Sequence, residues 1–279
     1  MTARARLRVV FVNFRTPALT VRSVNSLLAH GIAQLDGITV VDNCSGDESL
    51  ALMQAALPQV TIKPAPRNDG YGAGINFGVS GVDSEYLLIL NPDTYFERDS
   101  VTEVLDYMDE HPDVGMGGLG LVNPDGSRQY SARRFYSTLD IVGRRVPQTE
   151  QLLRRRIDRH LMIEETNAGQ PFEAEWVMGT GFIIRRDLFL QLGGMDEAYF
   201  LYMEDVDLCA RIWVSGHKVV CFPASQLVHD HQRTSATGLT SRAGRAHLKS
   251  LMHFARKFCL PLLSPPGVDR IVRSAAKRA

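Results

Sequence analysis

Apolar residues in the first hundred positions fall into short continuous runs, separated by stretches where they recur at helical spacing. Arg8–Phe14 is a compact apolar run, and Pro17 opens an amphipathic stretch that continues to His30. Ile38–Val41 is a second short β-branched run, ended by the polar segment 42-DNCSGDES-49. Ser49–Ala56 then predicts a helix, Val60–Lys63 a third strand, and Gly74–Gly81 a helix leading into the strand Tyr86–Leu90. This β-α-β-α alternation predicts an α/β fold, a doubly wound and mostly parallel sheet flanked by helices.

After Asp99 the pattern changes. Val101–Glu110 predicts a helix and Val114–Val122 a glycine-rich strand, followed by an arginine-rich region of weak periodicity up to about Gly169. Structure resumes at 175-EWVMGTGFIIRRDLFLQLGG-194, a strand and then a helix, and a further helix is expected from about Val206. Lys218–Phe222 predicts a last strand, and beyond Ser241 the chain is helical in pattern and broken by 261-PLLSPP-266. The organisation expected is one domain over 1–240, with halves at about 7–100 and 101–235. A helical basic C-terminal extension covers 241–279.

Composition changes this picture little: 44% hydrophobic and 22% charged residues are ordinary for a globular chain. Lys+Arg and Asp+Glu balance at 31 each, so net charge selects no partner, but the distribution is uneven. Arg128, Arg133, Arg134, Arg144, Arg145, Arg154, Arg155, Arg156 and Arg159 crowd one stretch, and nine Lys/Arg face one acid, Asp269, after Ser241. No nucleic-acid recognition motif accompanies these clusters. The four cysteines, Cys44, Cys209, Cys221 and Cys259, form no CxxC pair, which suits a reducing cytoplasm. Neither a signal peptide nor a run of eighteen apolar residues is expected.

Several polar groups stand where open α/β sheets bind ligands, at the carboxyl ends of strands. Asp42 directly follows Ile38–Val41; it reads either as part of a turn cluster or as an acceptor for a base ring N–H. The segment 67-RNDGYGAGINFGV-79 carries glycines at 70, 72, 74 and 78 but misses the dinucleotide spacing. Those glycines serve close ligand approach or tight helix–sheet packing. Asn91-Pro92-Asp93 ends a buried strand, and a lone carboxylate there favours a hard cation such as Mg2+ or Mn2+ over a plain turn. Glu204, Asp205 and Asp207 open a helix after an aromatic stretch, so at least one acid is expected in apolar surroundings with a raised pKa, suited to act as a base. Asp207 reads as structural. His229 and His231 follow the last strand, where a neutral imidazole can complete a metal site.

The ordered set 12-VNFR-15, 41-VDNCSGDES-49, 68-NDGYGAGINFG-78, 90-LNPD-93, 175-EWVMGTGFIIRR-186, 203-MEDVDLCAR-211 and His229 resembles the family 2 glycosyltransferases of GT-A fold. Within that family it looks most like the bacterial rhamnosyltransferase branch of cell-surface polysaccharide synthesis, over roughly residues 7–235. The resemblance implies an inverting, metal-dependent transferase that uses a nucleotide-sugar donor. The acceptor it implies is a glycan or lipid-linked glycan, at the cytoplasmic face of the membrane. By the same resemblance Asn13, Asp42, Asn68, Gly70 and Asn76 surround the nucleotide, with Asn91 by the ribose, and Trp176 and Gly179 shape the sugar pocket. Asn91-Pro92-Asp93 replaces the family's Asp-x-Asp, so Asp93 holds the metal with His229, a better match than His231. Asp205 is implied as catalytic base, with Glu204 as the other candidate. dTDP-rhamnose is the first donor implied; UDP- and GDP-sugars remain open.

Two rivals are weaker. A nucleotidyltransferase would carry a glycine-rich basic loop after its first strand, where this chain reads NFRTPALT. A catalytically degenerate glycan-binding module would have no need of Asp93 with Glu204 and Asp205. In the tail, Leu248, Leu251, Phe254 and Phe258 recur at helical spacing, either to pack on the domain or to lie on anionic lipid.

Overall fold

The computed structural model, which describes residues 4–137, 147–230, 242–258 and 267–277, builds its sheet from the short apolar runs of the sequence. In chain order the strands are β1 (Ala5–Asn13), β2 (Ile38–Asp42), β3 (Thr61–Pro64), β4 (Ser84–Leu90), β5 (Thr94–Tyr95) and β6 (Val114–Val122). Then follow β7 (Arg128–Gln129), β8 (Ala132–Arg133), β9 (Phe172–Glu173), β10 (Trp176–Val177), β11 (Gly181–Arg185) and β12 (Lys218–His229). The main sheet runs β3-β2-β1-β4-β11-β6-β12-β5. Its first four strands are parallel, as are β6 and β12. Between these parallel blocks β11 is inserted antiparallel to both neighbours.

Each face of the sheet carries its own core. Along β1 the side chains alternate, Val9 and Phe11 joining one buried cluster and Val10 and Val12 the other. Helix Pro17–Ala29 starts with proline in its first turn, where no N–H is needed, and buries Thr20, Ser23, Val24 and Leu27. That i, i+3, i+4, i+7 spacing is one helical face. On the central strand β6 every residue is buried, and glycine lets its neighbours approach closely. A Cβ at Gly118 would lie 2.6 Å from Val177 Cγ1.

Three elements differ from the expectations. The helix expected at Gly74–Gly81 starts earlier, at Tyr71, because Gly70 takes φ +109° just before it. β12 runs on to His229 instead of ending at Phe222. Its pairing jumps from Phe222↔Leu119 to Gln226↔Gly120, so Pro223-Ala224-Ser225 bulges out and the strand resumes. Proline cannot join a ladder, and the bulge removes that requirement. The arginine-rich region holds helices Pro147–His160 and Ile163–Ala168, which its run of charges concealed. Arg144 and Arg145 lie outside the described residues.

At the C-terminal end, helices Arg242–Phe258 and Gly267–Ala276 send Phe254, Phe258 and Ile271 into the cluster that also holds Val206 and Leu208. Leu251 is half-buried, whereas Leu248 stays 47% exposed. The segment 261-PLLSPP-266 is outside the described residues. Among the described residues no helix is long and apolar enough to cross a membrane.

An ion-pair network fastens this helical layer. Asp207 is fully buried, with Arg211 Nε at 2.6 Å and Lys257 Nζ at 2.6 Å from its two carboxylate oxygens. Lys257 also reaches Asp196 at 2.7 Å. Removing one partner of a buried pair leaves charge uncompensated, so Asp207→Ala should cost about 3–5 kcal/mol. Urea unfolding would measure it, and an unchanged midpoint would exclude a stabilising role for the network.

Candidate functional site

Strand pairing brings distant polar residues together at the carboxyl end of β4. The strand stops at Leu90, Asn91 N–H donates to the Thr180 carbonyl at 2.9 Å, and Thr94 Oγ1 donates to the Asn91 carbonyl at 2.7 Å. This turns the chain through Pro92-Asp93 into β5. There His229 pairs with Thr94, and Asp230 N–H donates to the Asp93 carbonyl at 2.8 Å. The extension of β12 past its bulge thus delivers a histidine beside a carboxylate, with His229 Nε2 3.4 Å from Asp93 Oδ2.

The tautomer of His229 follows from its neighbour. Gln129 Nε2 donates to the His229 carbonyl at 2.9 Å and to Asn123 Oδ1 at 2.6 Å, so Gln129 Oε1 is an acceptor. It lies 2.7 Å from His229 Nδ1, which therefore carries the hydrogen. Nε2 is left facing Asp93. A histidine oriented through its other nitrogen is the usual arrangement at metal sites. One carboxylate and one imidazole fit a divalent cation that takes its other ligands from phosphate and water. Among the described residues no third His, Cys, Asp or Glu completes such a group. His231 lies outside the described residues.

A cavity of about 460 Å³ opens beside this pair. Asn91, Asp93, Trp176, Gly179, Glu204, Asp205 and His229 line it together. The two acids stand at the first turn of helix Glu204–Val214, entered through two consecutive left-handed residues, Tyr202 (φ +65°) and Met203 (φ +73°). Such conformations cost about 1–3 kcal/mol each for residues other than glycine and persist only where surrounding contacts enforce them. Gly179 N–H donates to Asp205 Oδ2 and Val206 N–H to Asp205 Oδ1, both at 2.9 Å. Glu204 is 6% exposed, and its Oε2 has no hydrogen-bond partner among the described residues.

Burial raises the pKa of both acids, and the Asp205 charge pushes Glu204 up further. Two backbone donors, the helix N-terminus and the positive charge of Arg133 oppose the rise at Asp205. The Glu204 pKa is thus pushed up to about 8, whereas the rise at Asp205 is opposed by these donors. Tyr71, whose hydroxyl donates to the Gly179 carbonyl at 3.2 Å, keeps its proton because burial and the nearby carboxylates raise its pKa well above the usual value.

The other expected site residues lie away from this cavity. Asn13 Nδ2 donates to Asp42 Oδ1 at 3.0 Å, and Asn13 Oδ1 accepts from Thr16 N–H, Thr16 Oγ1 and Thr20 Oγ1. Asp42 Oδ1 also accepts from Ser45 Oγ and Oδ2 from Ser45 N–H, leaving it 5% exposed. Asn68 Oδ1 accepts from Asn43 Nδ2 and Gly70 N–H, and Asn76 ties its helix to Met195 and Glu197. Gly70 meets protein rather than open space: a Cβ there would lie 2.3 Å from the Phe200 carbonyl oxygen. Tyr71, Arg133, Tyr136, Tyr202 and His247 line the cavity without a sequence expectation for that role. Arg133 carried a weak signal, as one of the clustered arginines; His247 carried none.

The model of glycosyl transferase family 2 matches residues 9–193, and one described as the N-terminal domain of galactosyltransferase matches 159–234. The N-acetylglucosaminyl-diphospho-decaprenol L-rhamnosyltransferase of Mycobacterium tuberculosis is 28% identical over 78% of this chain and 73% of its own length. Rhamnosyltransferase WbbL of Escherichia coli is 28% identical over 72% of this chain and 75% of its own. Among solved structures, mannosyltransferase PcManGT from Pyrobaculum calidifontis, in complex with GDP-Man and Mn2+, superposes with a TM-score of 0.63 at 16% identity. That superposition covers 99% of this chain and 74% of the mannosyltransferase. GalNAc-T7 with UDP, GalNAc and Mn2+ gives 0.66 at 15% identity over 92% of this chain, which spans about half of that protein (49%).

Proposed function

This chain belongs to glycosyl transferase family 2, and on that premise we propose that it is an inverting, metal-dependent rhamnosyltransferase. Its donor is dTDP-rhamnose and its acceptor a hydroxyl of a lipid-linked glycan in cell-surface polysaccharide synthesis. The observation that carries this reading is one cavity lined by both the Asp93–His229 pair and the Glu204–Asp205 pair. The names of the two rhamnosyltransferase relatives support the sugar.

In this reading Asp93 and His229 would hold Mg2+ or Mn2+, which when bound would supply positive charge against the negative charge that develops on the leaving nucleotide. Asp205 accepts the proton of the acceptor hydroxyl as that oxygen attacks the anomeric carbon from the face opposite the leaving group, inverting its configuration. Gly179 N–H fixes one Asp205 oxygen. Glu204, protonated, keeps a second negative charge out of the pocket. Trp176, whose Nε1 donates to the Arg134 carbonyl at 2.9 Å, gives the sugar a rigid apolar wall.

Lone-pair counting at Asp42 supports a pyrimidine base in this reading. A carboxylate offers about four acceptor positions, and Asp42 has three filled by Asn13 Nδ2, Ser45 Oγ and Ser45 N–H. The position left suits the single imide N–H of thymine or uracil better than the two donors of guanine. Asn68, Gly70 and Asn76 shape the surrounding loops, and Asn91 approaches the ribose. The direct test is a transfer assay with dTDP-rhamnose and Mn2+ on a lipid-linked acceptor, with NMR of the product anomer. Release of dTDP with an inverted product supports the reading, and retention would overturn it.

The lipid-linked acceptor places the enzyme at the cytoplasmic face of the membrane. The face of helix Arg242–Phe258 turned outward supports this, since exposed Leu248 and Met252 sit among exposed Arg245, Lys249 and Arg256. Leu248→Glu with Met252→Glu is expected to cut sedimentation with phosphatidylglycerol vesicles by about tenfold. Unchanged sedimentation would remove the membrane contact.

A further inference from the structure

The inner face of the same helix bears on the strained turn before the acidic pair. Ser250 Oγ donates to the Leu201 carbonyl at 2.9 Å. The His247 ring lies against Tyr202, and the edge of His253 meets Tyr199, each with centroids 4.8 Å apart. Phe254 is fully buried in the cluster that holds Met203. Lys257 bridges Asp196, upstream of the turn, and Asp207, whose own N–H donates to the Met203 carbonyl at 2.9 Å. Positions 247, 250, 253, 254 and 257 form one helical face. From the opposite side, Tyr71 N–H donates to the Phe200 carbonyl at 3.2 Å, and Gly70 permits that approach. The segment 199–203 is therefore clamped between two elements.

A left-handed pair of residues without glycine does not hold itself; it relaxes unless contacts on both sides over-determine it. One side of the clamp comes from helix Tyr71–Val79, within the region matched by the family model, which covers 9–193. The other comes from residues 247–257, beyond both matched regions, the second of which ends at 234.

We propose that helix Arg242–Phe258 is a positioning strut for the acidic pair, with Ser250 and His253 as positioning residues that hold Tyr202–Met203 left-handed and so aim Asp205 into the cavity. The catalytic part of this inference rests on Asp205 serving as base; the structural part does not. Neither side chain is needed for the seating of the helix, which Phe254, Phe258 and Lys257 maintain. The strut works on chemistry rather than on donor affinity, because the Asp93–His229 pair is held by the β4–β5 turn and the end of β12.

The test is the double variant Ser250→Ala with His253→Ala in the full-length protein, read in two ways. Hydrogen exchange of the amides of residues 202–206 should speed up by about tenfold while those of β1 and β4 stay unchanged. In the transfer assay kcat should fall at least about tenfold with donor KM within twofold of wild type, since only a transition-state contact is disturbed. Unchanged exchange at 202–206 would overturn the strut whatever the activity. Faster exchange with undiminished kcat would overturn its link to the base. A parallel loss of kcat, donor affinity and melting temperature would show a helix that merely supports the fold. If wild type transfers no sugar, the exchange result still decides the structural claim, and the failure lies with the proposed reaction.

Discussion

Asp205→Asn is expected to lower kcat by about 10²–10⁴-fold, the usual contribution of a positioned general base. The amide keeps the shape of the side chain and still offers an oxygen to the Gly179 N–H, but it cannot take a proton. Donor KM should change little, because the acceptor proton moves only in the transition state. Glu204→Gln should behave differently. A protonated Glu204 already resembles the neutral amide, so its replacement is expected to cost much less than loss of Asp205.

Stability should separate the two acids as well. The pKa of Glu204 is raised in the folded protein, so the native state holds a proton that the unfolded chain releases near pH 4.5. Its contribution is complete below that pH and is lost as pH rises toward the folded value. Glu204→Gln should therefore flatten the decline in stability between about pH 4.5 and 8, measured by urea unfolding across pH. A larger catalytic loss in Glu204→Gln than in Asp205→Asn would exchange the roles of the two residues.

Asp93→Ala should lower kcat/KM about 10³-fold or more, since in the proposed reaction it removes the carboxylate that would hold the metal and with it several kcal/mol of charge stabilisation on the leaving diphosphate. His229 would remain, still oriented by Gln129, but a lone imidazole is a poor site for a hard cation. Titration with Mn2+ is the control. Activity in the variant should need far more metal than in wild type. An unchanged metal requirement would move the cation site elsewhere.

Much of the fold was legible because local chemistry and tertiary role agreed. Val9–Val12 and Ile38–Val41 are apolar because they run through the buried centre of the sheet, and Pro17 opens a helix because its missing N–H costs nothing there. The acids of the site were legible for a related reason. Asp93 and Glu204-Asp205 break apolar or aromatic runs, which a folded chain tolerates only with a compensating role. What stayed hidden depends on contacts far apart in sequence. Nothing near Pro223 announced that β12 would bulge and resume, yet that resumption is what carries His229 to Asp93. The helix Pro147–His160 was obscured because arginines crowd the positions from which periodicity is read. His247 belongs to a helix whose inner and outer faces both mix apolar and basic residues, so only packing distinguishes them. Gln129, which fixes the His229 tautomer, is an ordinary polar residue until β7 folds back on β6.

The most direct measurement is a thermal-shift panel of dTDP, UDP and GDP, each with and without Mn2+, on wild type and Asp93→Ala. A ligand at a hundredfold excess over its Kd stabilises the native state by about 2.7 kcal/mol, enough to raise Tm by several degrees. The expected result is a Mn2+-dependent shift with dTDP, none with GDP, and no shift in Asp93→Ala. No shift with any nucleotide, or one that survives Asp93→Ala, would contradict the assignment of Asp93 to a metal that holds the donor diphosphate.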